Sequence, residues 1–285
     1  MDTVRTVNEM QAVSAALKRS GRRVVLVPTM GALHGGHAAL MRQARAQGAA
    51  VVVSIYVNPT QFGPHEDFKQ YPRDMEADSQ LCGREQVEVI FAPSDDEMYP
   101  GGPGNAVAAA TWVEEIVLSR RFEGERRSGH FRGVCTVVAK LFNIVEPDLA
   151  TFGQKDYQQL KVVQRMVRDL AYPIQIVAVP TVREPDGLAM SSRNQRLSGT
   201  ERVQATVLWK ALSVARDLFT EGEQNAHRLE AAMQRTVGLA PAARLDYAQI
   251  VDGETLEPVA KVQQGNVALV AVHVGKVRLI DNLIL

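Results

Sequence analysis

Four short segments concentrate the residue types that handle phosphates and small polar ligands. Residues 28–37 read PTMGALHGGH. Glycines such as Gly31, Gly35 and Gly36 let a backbone approach a ligand closely and let a helix N-terminus face an anion. His34 and His37, three apart, would share one face at the start of that helix. Imidazoles placed there can hydrogen-bond the charge that grows on a transferring phosphoryl group. A plain glycine-rich turn with surface histidines has the same composition, however. The segment is neither a Gly-Lys-Ser/Thr phosphate loop nor a G-x-G-x-x-G fingerprint, and no acidic or Cys ligand stands beside the histidines at zinc spacing. Residues 57–63, VNPTQFG, offer the amides of Asn58 and Gln61 to a small polar substrate, although an Asn-Pro pair by itself marks only a turn. Residues 152–159, FGQKDYQQ, hold Lys155, a candidate phosphate clamp, and Asp156, suited to an N-cap or to a nucleotide or metal contact. A capped helix with a solvated lysine is the alternative. Residues 190–194, MSSRN, supply two hydroxyls and an arginine suited to triphosphate oxygens, or simply a polar loop.

These segments sit at the ends of periodic elements. Apolar runs over 23–28, 51–57, 87–92, 149–152 and 174–179 read as buried strands. Helical patterns over 37–47, 74–82, 133–145 and 157–170 separate several of them. Residues 58–71 and 93–105 carry Pro and Gly and read as loops. The alternation predicts an α/β fold, a Rossmann-like parallel sheet flanked by helices. In such sheets ligands bind outside the carboxyl ends of the strands, where the first three segments fall. Beyond Pro180 the pattern becomes two helices (199–220 and 223–237) and three strands (245–251, 266–273 and 277–284), a smaller C-terminal α+β domain. The expected division is 1–184 and 185–285, with the second domain covering the active site.

The 285 residues carry 32 Lys+Arg against 32 Asp+Glu. The balance is local as well, with 11 basic and 11 acidic residues from Asp186 onward. A nucleic-acid partner is therefore not expected, since no basic stripe is present to drive it. Cys82 and Cys135 cannot build a disulfide framework or a Cys-rich zinc site. The first ten residues lack the apolar core of a signal peptide, and no apolar run approaches a membrane span. A cytoplasmic enzyme with no membrane partner is expected.

The order of the motifs narrows this reading. A His-x-x-His turn after the first strand of the pattern and a Met-Ser-Ser-Arg loop after the sheet resemble the HIGH and KMSKS elements of the nucleotidyltransferase superfamily. PTMGALHGGH, VNPTQFG, YPRD, GHFRGV, FGQKDYQQ and PTVREPDGLAMSSRN, in that order over residues 24–194, resemble the pantoate–β-alanine ligase family. The resemblance continues more loosely to the C-terminus.

It implies a two-step reaction. Pantoate carboxylate attacks the ATP α-phosphate, giving pantoyl adenylate and pyrophosphate, and β-alanine then displaces AMP to give pantothenate. No protein nucleophile is needed, so catalysis should be positioning and charge stabilisation. By motif match, Met30, Gly31, Ala32, Leu33, His34, Gly35, Gly36 and His37 line the ATP site. Gly153, Gln154, Lys155, Asp156, Val182, Met190, Ser191, Ser192 and Arg193 match its other nucleotide positions. His37, His34 and Lys155 form the catalytic set; the family gives His37 a proton-donor role, whereas charge stabilisation of the phosphates suits the chemistry better. Gln61 and Gln159 match the pantoate-holding glutamines, and Gln61 also borders β-alanine. Asn58 is expected on the pyrophosphate or metal side, and Arg127 and His130 near the site. Mg2+ is expected with ATP, held mainly by phosphates and without a dedicated protein site, and the resemblance implies a homodimer through the N-terminal domain. The chain departs from the family's usual Glu at Gln154 and Gly35 and from its Pro at Ser128. The competing readings are an adenylyltransferase that stops at nucleotide transfer, a tRNA-charging module and a scaffold with a degenerate site.

Overall fold

The computed structural model describes residues 1–64, 66–102 and 110–285, so His65 in the expected 58–71 loop and residues 103–109, the first three of them in the expected 93–105 loop, lie outside the described residues. The chain divides into two compact units, residues 1–153 with 158–179 and residues 154–157 with 180–285.

The first unit contains β1 (Asp2–Val4), α1 (Val7–Arg19), β2 (Val24–Thr29), α2 (Gly35–Arg45), β3 (Ala50–Ile55), α3 (Met75–Arg84), β4 (Val89–Phe91), α4 (Asp95–Met98), α5 (Glu123–Arg126), α6 (His130–Val145), β5 (Leu149–Gly153), most of α7 (Tyr157–Asp169) and β6 (Gln175–Val179). Its strands form a six-stranded sheet in the order β1-β4-β3-β2-β5-β6, and every pairing is parallel. Every residue of β3 is buried, and β2 is buried except at Pro28, as the unbroken apolar runs predict for a covered parallel sheet. Met41, Ala44, Val51, Val53, Cys82 and Ile90 form part of a core between this sheet and the helices α2 and α3. Both cysteines are buried free thiols, pushed up to about 12 by burial. The chain leaves β2 toward β3 on one side, while β5 pairs with β2 on the other. The carboxyl ends of β2 and β5 therefore flank a topological switch point, the usual ligand crevice of such sheets.

The second unit pairs β7 (Ala243–Val251), β8 (Val267–Val274) and β9 (Val277–Ile284) as an antiparallel sheet. Its core joins the buried strand residues Ile250, Val270 and Val272 to Leu208, Leu212, Leu229 and Met233 of its helices. The helix expected over 199–220 is two helices, α8 (Gly199–Gln204) and α9 (Val207–Thr220), followed by α10 (Ala226–Val237). At the break the N–H groups of Thr206 and Leu208 donate three residues back, to the carbonyls of Val203 and Ala205, and the Thr206 hydroxyl also donates to the Val203 carbonyl at 2.8 Å. No helix among the described residues is long and apolar enough to cross a membrane.

Candidate active site

In the first unit the turn after β2 is bent tightly. Gly31 (φ +81°) and Ala32 (φ +50°) both adopt left-handed backbone. A Cβ on Gly31 would stand 2.9 Å from an Asp78 carboxylate oxygen, so only glycine fits. Asp78, buried on α3, accepts from the Ala32 N–H at 3.0 Å and the Leu33 N–H at 2.7 Å. Burial pushes its carboxyl above the usual range, and these two N–H bonds pull it back. The Thr29 hydroxyl donates to the Ser54 carbonyl and accepts from the Gly31 N–H, tying the turn to β3.

The turn delivers His34 as the N-cap of α2. Its Nδ1 accepts from the Gly36 N–H at 3.1 Å, and the Nδ1 of His37 accepts from the His34 N–H at 3.2 Å. This is a capping box built from two imidazoles whose centroids lie 4.2 Å apart. With both Nδ1 lone pairs accepting, the neutral rings carry their protons on Nε2. Two N–H donors thus accompany the positive end of a helix, an arrangement suited to anionic oxygens.

Beyond β3, Asn58 caps the short turn Pro59–Gln61. The expected pyrophosphate or metal contact by Asn58 is corrected here, because the side chain is only 1 % exposed and its amide is occupied. Its Nδ2 donates to Gln61 Oε1 at 3.0 Å and to the Gly133 carbonyl at 3.2 Å. Its Oδ1 accepts from the Thr60 hydroxyl and the Tyr99 hydroxyl, each at 2.9 Å. Asn58 orients Gln61 and has no amide group left for a ligand. Gly133 lets α6 touch this turn directly, since a Cβ there would fall 2.4 Å from the Thr60 carbonyl oxygen.

His130 and Arg127 hold the same turn. His130 Nδ1 lies 2.9 Å from the Gln61 carbonyl oxygen, and its Nε2 lies 3.0 Å from Arg127 Nη1. A guanidinium can only donate, so His130 accepts at Nε2 and donates from Nδ1. Burial, reinforced by Arg127, holds this imidazole down at about 4. Arg127 also binds the Glu66 carboxylate through Nε at 3.1 Å and Nη2 at 2.6 Å. The two adjacent glutamines of α7 differ in role. Gln158 is buried, accepts from the Glu123 N–H and donates to the carbonyls of Leu118 and Arg121. Gln159 is only partly buried.

The second unit holds the remaining motif residues. The turn Gln154–Asp156 is pinned by Asn282 of β9, whose Nδ2 donates to the carbonyls of Gln154 and Lys155 at 2.8 Å each. Lys155 Nζ lies 3.5 Å from Asp156 Oδ1, so a carboxylate stands beside this lysine despite the glutamine at 154. Beside Asn282, the wholly buried Asp281 side chain accepts from Arg183 at 2.6 and 3.0 Å. The Arg183 guanidinium lies 3.9 Å from the Trp209 ring centroid and also donates to the carbonyls of Gly187 and Asn282. Burial pushes Asp281 up, and Arg183, with a smaller effect from Lys155, opposes it. Met190 N–H donates to the Val182 carbonyl, and Ser191 caps the turn Ser192–Arg196 by accepting from the Arg193 N–H.

Asp78, Thr60, Tyr99, Glu66, Arg183, Asp281 and Asn282 escaped the motif reading as supports of these turns. Thr60 and Arg183 lie within the VNPTQFG and PTVREPDGLAMSSRN segments, and the last pair shows as a polar Asp-Asn in the strand VRLIDNLI. Asp78 carries no sequence signal, because its partners are backbone N–H groups 46 and 45 positions away.

The chain matches the family model described as pantoate-beta-alanine ligase over residues 2–284. It is 50 % identical over 285 residues to the pantothenate synthetase of Thermotoga neapolitana, covering all of both chains. It is also 50 % identical to that of Geobacter sulfurreducens, covering 100 % of this chain and 99 % of the other. A crystal structure of pantothenate synthetase from Thermus thermophilus superposes with a TM-score of 0.92 at 48 % identity, covering 99 % of each chain. The pantoate-beta-alanine ligase of Francisella tularensis, crystallised with beta-gamma ATP and β-alanine, superposes with a TM-score of 0.80 at 32 % identity, covering 100 % of this chain and 97 % of that one. With its motifs, its parallel sheet and matches that run from end to end, the chain belongs to the pantoate–β-alanine ligase family.

Proposed function

We propose that this ligase condenses pantoate with β-alanine through a pantoyl adenylate, consuming ATP and releasing pyrophosphate and AMP. The end-to-end family match carries the reading. The geometry of the turns supports the division of labour. A carboxylate is a poor electrophile until adenylation gives it a leaving group. His34 and His37 donate Nε2–H bonds to phosphate oxygens at the N-terminus of α2 and stabilise charge as pyrophosphate leaves. Their Nδ1 contacts to backbone N–H groups favour this role over proton transfer. Met30, Gly31, Ala32, Leu33, Gly35 and Gly36 shape the nucleotide-facing turn. Lys155, Ser191, Ser192 and Arg193 clamp the triphosphate, and Gly153, Gln154, Asp156, Val182 and Met190 make further nucleotide contacts. Gln61 and Gln159 bind pantoate, and Gln61 borders β-alanine.

Mg2+ accompanies the nucleotide. Its main ligands are the phosphate oxygens. When bound, it would neutralise phosphate charge. The enzyme works as a cytoplasmic homodimer. The test is an AMP and pyrophosphate assay with each substrate omitted in turn. Pyrophosphate release should require pantoate and ATP, while AMP release should additionally require β-alanine. Pyrophosphate release without pantoate would refute the adenylate route.

A further inference from the structure

The Asn58 amide is oriented by groups of fixed polarity. Its Oδ1 accepts from the Thr60 backbone N–H at 3.4 Å, and a backbone N–H can only donate. Its Nδ2 lies 3.2 Å from the Gly133 carbonyl, which can only accept. Nδ2 is therefore the atom facing Gln61 at 3.0 Å, and the Gln61 atom it meets must be the acceptor Oε1. That contact occupies the Gln61 oxygen inside the protein. Its Nε2 points instead at the Met30 sulfur, 3.1 Å away and a weak acceptor that a ligand oxygen would outcompete. Tyr99 reinforces the arrangement. Its buried hydroxyl donates to Asn58 Oδ1 at 2.9 Å and lies 3.2 Å from the Thr60 hydroxyl, which donates to the same oxygen at 2.9 Å. Burial pushes the Tyr99 phenol up, so its proton stays in place.

We infer that Tyr99, Thr60 and Asn58 form a hydrogen-bond relay that fixes Gln61 as a donor, so that pantoate is held there through one of its own oxygen acceptors. Tyr99 is then a positioning residue for a substrate it does not touch. The inference rests on the assignment of Gln61 to pantoate.

The test is direct titration of pantoate and of ATP against the full-length enzyme and four variants. Gln61→Ala should weaken pantoate and spare ATP. Tyr99→Phe removes one donor from Asn58 Oδ1 and should weaken pantoate about 3- to 10-fold while leaving ATP within about 2-fold. Thr60→Val removes a different donor from the same oxygen and should show the same split, which keeps the test alive should Tyr99→Phe misfold. Gln61→Glu replaces the donor with a group that only accepts and should weaken pantoate more than Gln61→Ala does. Wild-type pantoate affinity in both relay variants, alongside a weakened Gln61→Ala, would overturn the relay and leave the pantoate site standing. Equal weakening of ATP and pantoate by Tyr99→Phe or Thr60→Val would make the role merely structural. Gln61→Glu binding pantoate at least as well as Gln61→Ala would refute the donor polarity. Unchanged pantoate affinity in Gln61→Ala would remove the underlying assignment itself.

Discussion

Replacing Arg183 with Met tests how the second unit holds its lysine turn. The substitution keeps an apolar stem against Trp209 but removes both guanidinium bonds to Asp281 and those to the carbonyls of Gly187 and Asn282. The side chain of Asp281 has no exposure to water, so its charge would be left buried and unpaired. Losing one partner of such a pair typically costs about 3–5 kcal/mol. The protein has an escape, because Asp281 can take up a proton, a change its burial already favours. From an unfolded value near 3.9, protonation at pH 7 costs about 4 kcal/mol, at about 1.36 kcal/mol per pH unit. That sets a ceiling on the loss from the stranded charge at pH 7, and the ceiling falls to about 1.5 kcal/mol at pH 5. Arg183→Met should therefore lose about 3–4 kcal/mol at pH 7 and about half of that or less at pH 5. For a unit of about 110 residues, the pH 7 loss corresponds to a fall of about 10 °C or more in Tm. Calorimetry and urea melts followed by tryptophan fluorescence at both pH values would measure it. Adding Asp281→Asn should recover much of the loss by removing the stranded charge. A loss under about 1 kcal/mol, or the same loss at both pH values, would refute the reasoning.

Three further outcomes are expected. Lys155→Ala should slow pantoate-dependent pyrophosphate release by about 100-fold or more while leaving the fold intact by circular dichroism, and near-normal turnover would exclude the clamp role. Asp78→Asn turns an NH2 toward one of two backbone donors; it should cost about 1–3 kcal/mol in urea melts and raise the KM for ATP, so wild-type values for both would remove Asp78 as the keeper of the His34 turn. His130 is held at about 4 in the folded chain against an ordinary 6.5, so the unfolded chain takes up its proton first as pH falls. Stability should be unaffected by this group above pH 6.5 and should decline by about 3 kcal/mol as pH drops from 6.5 to 4. The non-titrating His130→Gln variant should show a correspondingly shallower decline, and an identical pH profile would contradict a buried neutral imidazole.

The parallel sheet was legible because β2 and β3 are buried runs of β-branched residues, and their period needs no tertiary information. β1 and α1 were not anticipated. Yet Thr6 and Glu9 form a capping box that the sequence TVNE spells out, so the signal for α1 was present. The single helix expected over 199–220 is interrupted between Gln204 and Val207, where the backbone turns to bonds three residues back, which propensity alone does not register. The motif residues stood out because glycine, histidine and lysine carry chemistry in their types. Their supports did not, because an aspartate that binds distant backbone N–H groups looks like any other helical aspartate. Asn58 shows the limit most clearly. Its type suggests a ligand contact, and only its neighbours reveal that both ends of its amide are already bound inside the protein.

The lysine turn has an unusual inheritance. Residues 154–157 lie in sequence within the first unit but pack as part of the second. Their partners are Asn282 and, through a 2.9 Å bond from the Tyr157 hydroxyl, the Gly253 carbonyl. Gly253 itself cannot gain a side chain, since a Cβ would stand 2.6 Å from the Gly265 carbonyl oxygen. A crossover at residue 180 between two relatives would give the chimera one parent's lysine turn and the other parent's seat for it. The halves are thus exchangeable only between parents that agree at 253 and 282. A shuffled library should show that constraint as paired survival of the turn with its seat, even though roughly a hundred residues of chain separate them.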